Sequence, residues 1–166
     1  MTGYMKNTTI KAWLLIYITF STCSIASPMF PRGCEMTGYG FSQNDLVFTE
    51  HNHHAFFLMQ NRSHDIIVLR HVETQPNVFM SPSLVAQINP GRWAAFASDA
   101  TDLYFRCYRK VGNEHITIDC REALDICQYP RVKFALSNMG TYWVSTNKPQ
   151  TQVIKESTTK GIYLHW

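Results

Sequence analysis

The chain lacks an apolar run long enough to cross a bilayer as a helix. Its longest candidate covers residues 12–20, less than half of the about 20 residues that a membrane-spanning helix needs. Lys6 and Lys11 stand before or at the start of that run, and Ser24 and Ala26 follow it at the positions that signal peptidase reads. The pattern predicts a signal peptide over residues 1–26, with cleavage after Ala26.

The chain also lacks an excess of charge of one sign once this leader is set aside. Of the 15 basic residues, Lys6 and Lys11 fall in the leader, which leaves 13 against 12 acidic residues. A nucleic-acid-binding domain concentrates Lys and Arg on one face, and the sequence shows no such concentration. We therefore predict no nucleic-acid partner, and we expect residues 27–166 to form one domain of about 140 residues without a stable transmembrane segment.

Cysteine pairs with the C-x-x-C spacing of redox and zinc sites are absent. Cys23 falls in the leader, so the exported part keeps an even number of cysteines. These are Cys34, Cys107, Cys120 and Cys127. An even count in an exported domain indicates structural disulfides. Leader and disulfides together predict a periplasmic or secreted protein.

Short strands separated by turn residues dominate residues 27–166. Three hairpins are predicted. They join residues 55–60 with 65–71, residues 103–110 with 115–120, and residues 131–137 with 141–146. The nearly continuous apolar runs of the first hairpin indicate strands that are covered on both faces. Further strands are predicted over residues 36–41, 46–48, 84–88, 92–97 and 162–166.

Two short helices complete the predicted elements. One follows Asp119, a residue type that caps helix N-termini, and continues past Cys127 until Tyr129 and Pro130 end it. The other covers residues 149–160, and Gly161 is expected to terminate it. Frequent strands with one or two short helices predict a mostly β, disulfide-linked domain with an immunoglobulin-like β-sandwich fold, and a barrel is the alternative.

The local predictions reduce three possible disulfide pairings to two. In the second hairpin, a two-residue turn places Cys107 opposite Ile118 and diagonal to Cys120. On the predicted helix, Cys120 and Cys127 would lie about 10 Å apart, beyond the about 7 Å between the Cα atoms of a disulfide. Pairing Cys107 with Cys120 and Cys34 with Cys127 is preferred. Pairing Cys107 with Cys127 and Cys34 with Cys120 remains open.

The densest group of potential metal ligands is His51, His53 and His54. In an extended segment His51 and His53 share one face, and neutral imidazoles so placed bind Cu or Zn. A polar, solvated loop explains the same residues and is the preferred interpretation. We accordingly assign no cofactor, and a periplasmic Cu- or Zn-binding protein remains an alternative.

No catalytic signature is present. Ser81, His115 and either Asp99 or Asp119 have the residue types of a hydrolase triad. A triad is defined by its geometry, however, and the sequence has no nucleophile-elbow motif. The tripeptide at 61–63 has the N-glycosylation pattern and is interpreted as a hairpin loop. The prediction is a non-enzymatic protein, with a small secreted hydrolase as an alternative.

Several segments resemble a known family. They are residues 57–63 (FLMQNRS), residues 89–96 (NPGRWAAF), residues 140–148 (GTYWVSTNK) and the spacing of Cys107, Cys120 and Cys127. Together with the leader, they resemble the small secreted "enhanced entry" proteins, EnhB type, of Legionella-like intracellular bacteria. The resemblance implies an exported protein linked to entry into host cells, without an assigned reaction or assigned functional residues.

The sequence therefore predicts an exported, non-enzymatic binding module that contributes to host-cell entry or virulence. Its partner would be an envelope or host protein, and its oligomeric state is left open. Because small disulfide-bonded β modules often inhibit enzymes, an inhibitor of a cell-wall-cleaving enzyme is a further alternative.

Overall fold

Two β-sheets pack face to face in this protein. The computed structural model describes residues 30–49, 55–72, 85–98, 103–134 and 142–165. Within them most elements are strands and both helices are short, so the predicted mostly β sandwich is confirmed. The immunoglobulin-like strand order stays a prediction, and the predicted signal peptide lies outside the described residues.

The described elements are β1 Tyr39–Ser42, β2 Asp45–Phe48, β3 Ala55–Asn61, β4 Ile66–Val72, β5 Val85–Ile88, β6 Trp93–Ser98, β7 Leu103–Val111, β8 Glu114–Ile118, α1 Cys120–Ala123, β9 Leu124–Tyr129, β10 Val132–Phe134, β11 Tyr142–Lys148, α2 Gln150–Thr159 and β12 Ile162–Leu164. The chain passes repeatedly between the two sheets, and β10 and β12 form a separate pair. Among the described elements, no helix combines the length and the apolar character that crossing a membrane requires.

The first sheet, here called the front sheet, has the order β1-β2-β7-β4-β5, and all its pairings are antiparallel. β7 is long enough to have two partners on one edge: β2 pairs with its first half and β8 with its second half. The second sheet, here called the central sheet, has the order β11-β6-β3-β9.

The main core lies between the two sheets. Residues Leu103, Phe105 and Cys107 of β7 are buried, whereas the residues between them are only half-buried, as strand alternation requires. Aromatic rings from both sheets meet in this layer: the ring centroids of Phe48 and Phe57 are 3.9 Å apart. Each such large apolar side chain stabilises the fold by about 2 kcal/mol through its burial.

The central sheet is covered on its second face as well, so β6 is buried along its whole length. The back layer, defined as α2 with the strand pair β10–β12, provides this cover. Val153 of α2 and Ile162 of β12 are fully buried and pack in a second cluster with Phe56 and Trp93. The described part of the molecule therefore has three layers, and the front sheet is one of the two outer layers.

Two predicted hairpins are wrong because tertiary pairing decides the partner of a strand. The strands predicted to pair around residues 61–64 are β3 and β4, which belong to different sheets. Both are apolar enough to be interior strands, so the four-residue connection crosses between the sheets instead of closing a hairpin. Similarly, β11 pairs with β6, and β10 pairs with β12.

The hairpin of β7 and β8 is confirmed in its register. Cys107 lies opposite Ile118 and Val111 lies opposite Glu114. The two-residue turn between the strands begins with Gly112 at φ 59°, a conformation that glycine adopts without strain and that tight hairpin turns require.

The helix predicted after Asp119 is much shorter than expected. The Asp119 side chain does accept a hydrogen bond from the backbone N–H of Arg121, as a helix cap should. However, α1 ends at Ala123 and the following residues form strand β9. The apolar residues after Ala123 fit the edge of the central sheet better than a second helical turn. The C-terminal helix is confirmed as α2, and Gly161 with φ 78° follows its end.

The disulfides follow the preferred pairing. Cys34 is bonded to Cys127 with 5.5 Å between the Cα atoms, and Cys107 is bonded to Cys120 with 5.3 Å. The first bond attaches the segment before β1 to strand β9. The second attaches β7 to the start of α1. The helical spacing that disfavoured a 120–127 bond does not exist, so the preferred pairing was correct although one of its reasons was wrong.

The β3–β4 connection (residues 62–65) and the β5–β6 connection (residues 89–92), here called the first and second crossings, meet at the buried side chain of Asn61. Its amide Nδ2 donates to the carbonyl oxygens of Asp65 and Ile88 at 2.7 and 2.8 Å, and its Oδ1 accepts from the N–H and the hydroxyl of Ser63. The backbone of Asn61 also bonds to Gly91 and Arg92 of the second crossing. The tripeptide at 61–63, interpreted from sequence as a hairpin loop, is therefore a structural junction.

A polar anchor attaches α2 to β11. Glu156 accepts hydrogen bonds from Lys148 Nζ and Ser145 Oγ, both at 2.7 Å. The hydrogen bond from Lys148, followed by that from Ser145, lowers the pKa of Glu156 below its ordinary value. A depressed folded-state pKa contributes stability above the unfolded-state pKa, and that stability is lost as the pH falls through the folded-state pKa.

We therefore expect Glu156→Gln to lower the free energy of unfolding at pH 7 and to have a smaller effect as the pH falls below about 4. Urea unfolding of both proteins across this pH range measures the difference. Glu122→Gln, at an exposed residue of α1, is the control and should have little effect. A Glu156→Gln effect that is equal at every pH would contradict the anchor.

Candidate binding face

Strand alternation places a set of cationic and aromatic side chains on the outer surface of the front sheet. On β7 the outward residues include Arg106, Tyr108 and Lys110, because the residues between them point toward the core. Register adds Arg70 of β4, opposite Arg106, and His115 of β8, opposite Lys110. These five residues are here called the cationic face.

Arg106 is held by a carboxylate at the margin of the face. Its Nε and Nη2 atoms donate to the two carboxylate oxygens of Asp45, each at 2.8 Å. These hydrogen bonds raise the pKa of Arg106 further above its ordinary value. The bidentate geometry fixes the guanidinium, and the Asp45 charge compensates it.

Arg70 is held by neutral groups instead. Its guanidinium carbon lies 5.1 Å from the centroid of the Tyr108 ring, within cation–π range. Its Nη2 atom donates to Nδ1 of His115 at 2.7 Å. A guanidinium only donates, so this contact requires an unprotonated Nδ1 on His115. The contacts orient Arg70 without neutralising its charge.

Lys110 adds a second cation near this group. It is exposed and lies opposite His115 in the β7–β8 ladder. In the part of the chain that the structure describes, neither Arg70 nor Lys110 has an ion-pair partner. Arg70 lies directly opposite Arg106 across β4 and β7, and like charges so placed destabilise a sheet. Within the described residues the face therefore carries positive charge that no carboxylate pairs with, as an anion-binding surface requires.

The metal and triad candidates do not form a site in the described residues. His51, His53, His54, Ser81 and Asp99 lie outside them. In the described ranges, no three His, Cys, Asp or Glu side chains are grouped as metal ligands.

The two remaining triad candidates, His115 and Asp119, bond to different partners and not to each other. His115 bonds to Arg70, and Asp119 caps α1 and binds Arg121. No candidate Ser hydroxyl or second carboxylate joins either of them in these contacts.

A cavity within the sandwich has no room for a ligand. It has a volume of about 10 Å³ and lies among core side chains that include Phe48, Met59 and Phe105. A cavity of this size holds about one water molecule at most. Within the described residues, this cavity therefore offers no space for a ligand between the sheets.

The cationic face was missed at the level of sequence, although part of its signal is visible there. Arg106, Tyr108 and Lys110 stand at alternate positions of a predicted strand, which places them on one face. Arg70 joins them only through the pairing of β4 with β7, and the sequence predicted a different partner for β4.

Comparison of the chain with protein-family models, with curated proteins and with solved structures found no match. The resemblance to EnhB-type proteins therefore stays a prediction, and the functional assignment depends on the chemistry of the site.

Proposed function

We propose that this protein is an exported, non-enzymatic binding module that contacts its partner through the cationic face. The partner is a component of the bacterial envelope or of the host-cell surface. A contribution to host-cell entry follows from the resemblance to EnhB-type proteins.

Two features support export to the periplasm or beyond. The leader pattern of residues 1–26 is typical of a signal peptide. The two disulfides fit an oxidising compartment, because thiols are kept reduced in the cytosol of most organisms. Two crosslinks also suit a domain that must stay folded outside the cell.

The observation that carries the binding role is that Arg70 and Lys110, beside the Tyr108 ring, have no ion-pair partner in the described residues. Tyr and Arg are enriched in binding surfaces because they combine a large contact area with hydrogen bonding. The face is also formed by strands rather than by loops. Its side chains are therefore positioned before binding, which lowers the entropic cost of association.

The proposal predicts saturable retention of the purified, disulfide-bonded protein on envelope fragments or on host cells. Substituting Arg70→Gln together with Lys110→Gln should weaken that retention about thirtyfold, since each surface cation contributes about 1 kcal/mol to contact with an anionic surface. Fluorescently labelled protein, titrated against each surface, provides the measurement.

The matched control is Lys133→Gln with Lys155→Gln. Both lysines are exposed and belong to the back layer, on the opposite side of the central sheet. This variant has the same net charge as the test variant, and its retention should stay within about twofold of the parent protein. Retention that does not saturate, or that falls equally in both variants, would count against the proposal.

A further inference from the structure

We propose that the ligand of the cationic face is an acidic polysaccharide, a chain of sugar rings in which carboxylate groups are separated by neutral rings. This inference rests on the proposed function and names the class of ligand. It follows from the spacing of the cations, from the aromatic side chains between them and from the limited charge of the face.

The cations are spread along β7 rather than gathered around one point. Arg106 and Lys110 are four residues apart on one strand, which corresponds to about 13 Å. The backbone of Arg70 lies opposite Arg106, and its side chain extends across Tyr108 to His115. Its guanidinium therefore lies between Arg106 and Lys110. A small anion contacts one end of this row, whereas a polymer with repeated anionic groups contacts both.

Tyrosine side chains alternate with the cations. Tyr104 and Tyr108 stand on either side of Arg106 on the outward face of β7, and both are half-buried. Each presents an apolar ring and a hydroxyl, a combination that suits the apolar C–H faces and the hydroxyl groups of sugar rings. Arg70 packs against the Tyr108 ring, so a cation and an aromatic ring adjoin each other in this row.

The charge of the face fits a sparsely charged polymer better than a nucleic acid. A nucleic-acid strand has one phosphate about every 3.4 Å, and its protein partners neutralise many of them. Here two uncompensated cations and one cation shared with Asp45 extend over about 13 Å. The disulfides also fit an oxidising compartment, where polysaccharides are common polyanions.

The test uses the purified, disulfide-bonded protein and three probes. Hyaluronate has one carboxylate for every two sugar rings, dextran is a neutral polysaccharide, and an oligothymidylate represents nucleic acid. We expect binding to hyaluronate that weakens with added salt, no binding to dextran, and binding to oligothymidylate that is weaker than to hyaluronate. Isothermal titration at low and at physiological ionic strength measures all three affinities.

Substitutions in the cationic face and in the back layer test where hyaluronate binds. Arg70→Gln with Lys110→Gln should weaken hyaluronate binding about thirtyfold, and Tyr104→Ala should weaken it without any change of charge. Lys133→Gln with Lys155→Gln should leave it within about twofold. Thermal unfolding of each variant separates a loss of binding from a loss of fold, and Tyr104→Phe provides a milder second variant of the aromatic position.

The inference would be overturned by failure to bind hyaluronate, by equal binding to dextran, or by tighter binding to oligothymidylate. Its failure can be distinguished from failure of the proposed function. If the protein is still retained saturably on envelopes or host cells, and excess hyaluronate does not displace it, the binding module stands and the ligand class is wrong.

Discussion

Replacing Cys34 and Cys127 together by alanine is expected to lower the free energy of unfolding by about 4 kcal/mol. The bond joins residues 93 positions apart, so its loss restores much conformational freedom to the unfolded chain. Cys127 is also fully buried in the cluster beneath the back layer, and its truncation leaves a small cavity. Both effects lower the free energy of unfolding.

Urea unfolding of the parent and of the double variant under non-reducing conditions measures this loss. The second disulfide provides a comparison, because Cys107 and Cys120 are only 13 positions apart. Its removal should cost about 3 kcal/mol, since a shorter loop constrains the unfolded chain less. Unfolding free energies that do not change when Cys34 and Cys127 are replaced would show that this bond does not hold the native fold.

Asn61→Ala is expected to lower the free energy of unfolding by about 3 kcal/mol. The fully buried Asn61 side chain satisfies the backbone carbonyls of Asp65 and Ile88 and accepts two hydrogen bonds from Ser63. Removing it leaves these groups without their partner in a place where water cannot easily replace it, and each such loss costs about 1 kcal/mol or more.

Asn113→Ala is the matched control for this substitution. Asn113 is exposed in the turn between β7 and β8, so the same chemical change should cost less than about 1 kcal/mol there. Asn61→Asp should also destabilise the protein, because a carboxylate cannot donate the two hydrogen bonds of the amide. An Asn61→Ala protein as stable as Asn113→Ala would mean that the crossings do not depend on this side chain.

The elements that could be predicted from the sequence are those specified by local chemistry. Strand periodicity and the Gly112 turn were sufficient for the β7–β8 hairpin and its register, with Cys107 opposite Ile118. The α2 helix was predicted from its composition and from the terminating Gly161. The preferred disulfide pairing was correct partly because it depended on that hairpin.

The pairing of strands distant in sequence could not be predicted. β3 and β4 are both apolar and are separated by a turn-like segment, so adjacent pairing and a crossing between sheets have the same local signal. Asn61 stabilises the crossing by bonding to Ile88 of β5 and to Gly91 and Arg92 of the second crossing, which are far from it in sequence. Those contacts cannot be inferred from local sequence patterns.

The same limitation applies to the candidate site. Net charge near zero in residues 27–166 predicted no concentrated basic face, yet strand register gathers Arg70, Arg106 and Lys110 on one surface. Composition gives the sum of the charges, whereas the sheet determines where they lie. A modest local excess of positive charge on one surface is therefore compatible with a domain whose net charge is almost zero.

The central claim is that the protein binds through the outer surface of the front sheet. Lysine acetylation of the protein, alone and retained on its envelope or host surface, tests the claim directly, with modification of each lysine measured by mass spectrometry. We expect Lys110 to become protected on binding, while Lys133 and Lys155 react as they do in the free protein. Protection of Lys133 and Lys155 with Lys110 still reactive would contradict the claim and would place the contact on the back layer.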